Sequence, residues 1–322
     1  MKKNLFVLWM TLSLPPGISH AASLWWSETM PHAEHGTSQH SHGGPVEIRR
    51  GIYHKNLWLR AGDGPVDSSY LDQAVPGKVF LLDAKGEMSE VKAGNVHGSY
   101  GINFAMPDEG FYNLYLVNEN VTDSVRNIIV AKSESLKHSC REGHDHVKNL
   151  IQPNHLDDIP LEIVRERSDD ENFHSLIGFG DTVRFLVLRN GKPQAGASVT
   201  IHTTHGWRNT VSTDDSGHAS FMMIRDYYPP WHEFERRHRQ DYVVQAVYTA
   251  NDAGGSGQLE YRKTRYEATL NGSYYPSPRD YRSYAYGLLL GTFALVFTGV
   301  AVYLYRRRRQ HRFQEIRFDE KA

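Results

Sequence analysis

Residues 181–203 read DTVRFLVLRNGKPQAGASVTIHT, and their pairing decides the class of the fold. An apolar run rich in β-formers meets Asn190-Gly191, passes a turn carrying Pro193, and resumes as Ser198-Val199-Thr200-Ile201. That is the signature of a strand, an Asn-Gly turn, a Pro-bearing turn and a second strand. Immediately downstream, TVSTDDSGHASFMMI (210–224) predicts a hairpin around Asp214-Asp215-Ser216-Gly217, and DYVVQAVYTA (241–250) and RKTRYEATL (262–270) supply two more strands. Helical periodicity is missing throughout, so residues 160–275 are expected to close as a β-sandwich.

The same signals recur upstream. KVFLLD (78–83), SYGINFAM (99–106), GFYNLYLVNE (110–119) and SVRNIIVA (124–131) are short apolar or alternating runs divided by turn compositions. They predict a first β-sandwich over 46–132. Residues 133–159 are polar and break the strand pattern, which marks them as the connector between two domains. The fold class expected is mainly β: two sandwiches, Ig-like or transthyretin-like, and one C-terminal membrane helix.

The two ends speak of export. MKKNLFVLWMTLSLPPGISHAAS opens with two lysines, continues as a short apolar run and closes on small residues, the pattern of a secretory signal over 1–22. Tyr284 to Tyr305 carries no charge and is long enough to cross about 30 Å of hydrocarbon. Arg306 to Arg309 follow at once, so the positive-inside rule leaves 306–322 in the cytoplasm and the bulk in the periplasm. An inner-membrane protein of one pass is expected. With 36 basic and 37 acidic residues the chain is nearly neutral, which argues against a nucleic-acid partner. Its single cysteine forms no disulfide within the chain, so the fold must rest on its core.

Histidines gather in two polar stretches. Residues 23–45, rich in Ser, Gly and His, read as a flexible arm carrying His32, His35, His40 and His42. The connector holds HSCREGHDH, with His138, Cys140, His144 and His146. Imidazole suits nickel, cobalt, copper and zinc, and His-x-His lets two rings reach one ion from extended backbone; a thiolate adds affinity for zinc, nickel or cuprous copper. The bland alternative for both stretches is a solvated polar segment. WHEFERRH (231–238) is no metalloprotease motif, because Arg236 stands where the second histidine of His-Glu-x-x-His belongs. With no Gly-x-Ser-x-Gly elbow, phosphate loop or Cys-x-x-Cys present, the chain is not expected to be an enzyme.

GKPQAGASV (191–199) followed by TDDSGHA (213–219) resembles a transthyretin-like or carboxypeptidase-regulatory-like β-module. The wider arrangement is similar to the DUF4198 family. It comprises the signal peptide, HKNLWL (54–59), PLEIV (160–164), the β-module, RYEATL (265–270) and the C-terminal helix. That resemblance implies a periplasmic component of nickel or cobalt uptake, working beside membrane transporter subunits of the energy-coupling-factor type. The expected ligand is a divalent transition-metal ion, nickel or cobalt first, zinc or copper otherwise. Two other functions stay open: an envelope structural or interaction module with no metal role, and a periplasmic copper or zinc buffer.

Overall fold

A computed structural model of the chain describes residues 22–31, 46–138, 152–227, 239–256, 259–275 and 278–309. The upstream strands are β1 (Leu24–Ser27), β2 (Val46–Arg49), β3 (Ile52–Ala61), β4 (Ser69–Tyr70) and β5 (Lys78–Leu82). They continue with β6 (Met88–Val91), β7 (Gly94–Val96), β8 (Ser99–Met106), β9 (Gly110–Thr122) and β10 (Val125–Lys137). Residues 133–137, expected to begin the connector, instead end β10, and the strands that follow are β11 (Glu162–Glu166), β12 (Thr182–Arg189), β13 (Lys192–Pro193), β14 (Ser198–Thr203) and β15 (Arg208–Ser212). The series closes with β16 (His218–Met222), β17 (Gln240–Ala250), β18 (Gly254–Ser256), β19 (Leu259–Tyr261), β20 (Lys263–Tyr274) and the helix α1 (Pro278–Arg309).

The fold is mainly β, as the alternation demands. Its largest sheet has the order β15-β14-β17-β20-β10-β9-β5-β6, four strands from each half of the chain. The join is a parallel pairing of β10 with β20, from Val125↔Lys263 to Lys132↔Leu270. The two predicted strand series therefore share one sheet and do not close as separate sandwiches.

Two smaller sheets cover this one. β1, β3, β8 and β7, with β2 and β4, pack over one face; β11, β12, β13 and β16 pack over the other. The run Ile128-Ile129-Val130-Ala131 shows why. Ile128 and Val130 enter the core shared with Phe185 and Phe221, while Ile129 and Ala131 enter the core shared with Trp26, Leu57 and Ile102. A strand buried on both faces reads as a continuous apolar run, since alternation needs one wet face.

The turn at Asn190-Gly191 is as predicted. Both residues have positive φ, 48° and 72°, the geometry of a type I′ connection, and β12 pairs with β13 through Arg189↔Lys192. The predicted hairpin at 210–224 is not a hairpin. β15 pairs with β14 and β16 pairs with β12, so the Asp214–Gly217 turn carries the chain from one sheet to another. Asp214 caps that turn, its Oδ1 accepting from the amides of Ser216 and His218 at 2.9 Å each.

The start of the expected arm also differs. Leu24–Ser27 form a buried strand paired with β3. Trp25 and Trp26 are 1% and 0% exposed, and Trp26 Nε1 donates to the Ala131 carbonyl at 3.1 Å. Polar composition over 23–45 concealed the apolar tripeptide Leu24-Trp25-Trp26, and two indoles bury too much surface to stay in water.

Candidate functional site

Of the eight predicted metal ligands, one falls among the described residues. His32, His35, His40, His42, Cys140, His144 and His146 lie outside them. His138 stands just past the end of β10. Its ring stacks on Phe173 at 4.4 Å between centroids, meets His174 edge-on at 5.3 Å, and brings Nδ1 to 3.9 Å from Glu109 Oε2. His138 thus has a second imidazole and a carboxylate beside it where the chain enters HSCREGHDH, and nothing in the sequence around His174 or Glu109 marks either as its neighbour. Among the described residues, however, no group of three His, Cys, Asp or Glu side chains is arranged to hold a metal ion.

His54 of HKNLWL is held by Asn103, whose Oδ1 lies 3.2 Å from Nδ1. The rest of the motif turns inward: Lys55 and Asn56 are buried with Leu57, Trp58 and Leu59. PLEIV and RYEATL behave alike, since Glu162 and Glu267 are fully buried. These three motifs therefore place polar groups in the interior, where each must find partners.

Glu162 finds Lys132. Nζ lies 2.8 Å from Glu162 Oε1 and 2.7 Å from Glu134 Oε1, and donates to the Ile163 carbonyl at 3.0 Å. The Tyr115 hydroxyl donates to Glu162 Oε1 at 2.8 Å, and the Leu156 amide donates to Oε2 at 3.1 Å. Burial alone would push Lys132 down, but Glu134 and Glu162 outweigh it and raise the ammonium above its ordinary value. Burial pushes the Tyr115 phenol up as well. Internally paired, with Lys132 and Glu162 fully buried, this cluster joins the β11–β16 sheet to the large one.

A second cluster lies on the opposite face. Glu28, just after β1, pairs with Lys55 at 3.1 Å and with Arg239. Arg239 Nε lies 3.5 Å from Asp241 Oδ1, and Thr29 donates to Asp241 Oδ2 at 2.7 Å. Burial would raise the Glu28 carboxyl, but Arg239 and Lys55 overcome it and bring it to about 2. Lys55 is lowered, because burial and the neighbouring Arg239 outweigh what Glu28 returns. Glu28 here serves two cations, and Asp241 gives Arg239 a second carboxylate.

The sequence turn Asp214–Gly217 suggests a third grouping. Ser216 Oγ lies 2.8 Å from His218 Nδ1, and His218 Nε2 lies 3.1 Å from Glu166 Oε1, in the order of a nucleophile, a base and an orienting acid. Asp214 Oδ1 lies 2.7 Å from the same Oγ and can only accept, so the single hydroxyl proton has Asp214 as a competing acceptor beside the imidazole. The same Asp214 Oδ1 takes the Ser216 and His218 amides, so the grouping caps the turn.

No protein-family model matches the chain, and no curated protein matches it. Among solved structures, one of a bacterial ice-binding adhesin concerned with host cell surface retention is 11% identical. That alignment covers 71% of this chain and 62% of that one, with a TM-score of 0.21. A Ca2+-stabilized adhesin with which an Antarctic bacterium binds ice is 14% identical over 79% of this chain and 48% of its own, again at 0.21. The chain spans less than two thirds of either, and at such scores the likeness carries no argument.

Proposed function

We propose that this chain is a membrane-anchored exported protein that binds a divalent transition-metal ion, nickel or cobalt first, and passes it to transporter subunits in the same membrane. The resemblance to the DUF4198 family supplies the class of reaction partner. The observation that carries the reading is that His174 and Glu109 each lie beside His138, the first residue of HSCREGHDH. α1 supports the anchor: Tyr284–Arg309 is long and apolar enough to cross a membrane, and its described side chains are exposed. In this reading its basic end is cytoplasmic and the sheets lie in the periplasm.

The rival is an envelope interaction module, favoured by the lack of a three-ligand group among the described residues. Calorimetric titration of the full chain in detergent with nickel, cobalt, zinc and copper separates the two. Metal binding should release protons and weaken steeply as pH falls through about 6.5, because imidazole and thiolate must give up protons to bind. Changing His138, His144 and His146 together to Ala should lower affinity at least about tenfold. No binding by the unaltered chain, or binding unchanged in the triple variant, removes the connector site.

A further inference from the structure

The outward face of β16 changes character along its length. Ala219, Phe221 and Met223 point into the core, while Ser220, Met222 and Ile224 alternate outward. A strand facing water should keep its outer positions polar. Here the series runs from Ser220 to Met222 and Ile224, which are 62% and 38% exposed. Leu176, 44% exposed, lies beside Ile177, whose carbonyl accepts from the Tyr275 amide at 2.8 Å.

These apolar side chains sit where the fold meets α1. Gly178 bridges Tyr275, and only residues 276 and 277 separate Tyr275 from the helix. The Met223 segment is tied to the same place by Gly180, whose amide donates to the Met223 carbonyl at 2.7 Å. Asp226 accepts from the Tyr274 hydroxyl at 2.8 Å and from Thr203 at 2.6 Å, which fixes the segment against the end of β20. Arg225 lies over the rings of Phe179, at 6.0 Å, and of Tyr284, at 5.9 Å. Tyr284 opens the candidate span, about 9 Å along α1 from its first residue.

We propose that this end of the fold, with Leu176, Met222 and Ile224 as its apolar contacts and Arg225 as its cation, is seated in the headgroup layer of the bilayer that α1 spans. The partner is a phospholipid surface: apolar side chains enter the acyl boundary, and a guanidinium faces lipid phosphate. Membrane contact explains three outward apolar residues at the one end of the sheet that a short link holds against the membrane. The inference rests on reading α1 as a transmembrane anchor.

The test uses the full chain with Cys140→Ser, so that one introduced thiol is labelled, in vesicles of phosphatidylcholine and phosphatidylglycerol. An environment-sensitive fluorophore is placed at Met222→Cys, at Ile224→Cys or at Lys263→Cys. Lys263 is exposed at the far end of β20, roughly 36 Å from Tyr274 at about 3.3 Å per residue. Lipid carrying a headgroup nitroxide should quench the labels at 222 and 224 at least about threefold more than that at 263. Equal quenching at all three positions, with the protein still floating with the vesicles, overturns the surface contact and leaves the anchor standing. Failure to float with the vesicles overturns both.

Discussion

The two buried charge clusters lie on opposite faces of one sheet and are built on opposite logic. Around Lys132, one cation serves two carboxylates, and the Lys132 and Glu162 side chains are 0% exposed. Around Glu28, two cations share that carboxylate and Arg239 also reaches Asp241, at a slightly wetter margin where the Lys55, Glu28 and Arg239 side chains are 6% to 18% exposed. The difference is one of redundancy. Glu162 has a single cation partner, supplemented by Tyr115 and a backbone amide, whereas Glu28 retains one cation when the other is removed. The cost of breaking a buried ion pair is mainly the cost of the charge left behind.

The largest effect should follow from Lys132→Met. Glu162 would be stranded in a dry interior, and denaturant unfolding should show a loss of about 3–5 kcal/mol. Adding Glu162→Gln in the same chain should recover a large part of it, since the fully buried charge is then gone and only Glu134, 9% exposed, has lost its cation. No recovery in the double variant would mean that packing, and not charge, sets the cost.

An acid titration separates the clusters next. Glu28 falls from 4.5 to about 2 on folding, so its contribution is fully present above pH 4.5 and is lost as pH falls toward 2. A shift of that size corresponds to about 3 kcal/mol. Glu28→Gln should therefore flatten the loss of stability between about pH 4.5 and 2. Lys132, raised on folding, contributes stability that is fully present below its ordinary value of 10.5 and is lost only as pH rises beyond it. The same slope in the wild type and in Glu28→Gln would refute the assignment.

Lys55→Met should cost least, at most about 1 kcal/mol in denaturant unfolding. Arg239 still pairs with Glu28, and the burial penalty that Lys55 bears disappears with it. A loss equal to that of Lys132→Met would show that the two clusters do not differ in redundancy.

Much of the secondary structure was legible because local chemistry governs it. The Asn190-Gly191 turn needs positive φ at two positions, and the apolar runs announce strands wherever they occur. The charge clusters were not legible. Lys132 follows IIVA and Glu162 sits in PLEIV, which in isolation look like ordinary strand residues with a charge turned to water. Which way they turn depends on a sheet contributed by residues some 30 positions away in the chain. His174 escaped notice in the same way, since nothing near it in sequence marks a partner for His138.

From sequence alone came the β class, the tight turns, the apolar C-terminal helix and the clustering of histidines, because composition and short-range periodicity report backbone preference and solvent affinity. Tertiary structure alone decided that β10 and β20 pair in parallel and fuse two strand series into one sheet. It also decided that Trp25 and Trp26 leave a polar stretch for the core, and that the 210–224 turn crosses between sheets. The physical reason is range. A turn or an alternating strand is settled among neighbours, but pairing across 138 residues, from Val125 to Lys263, is settled by which surfaces bury the most apolar area while satisfying every buried charge.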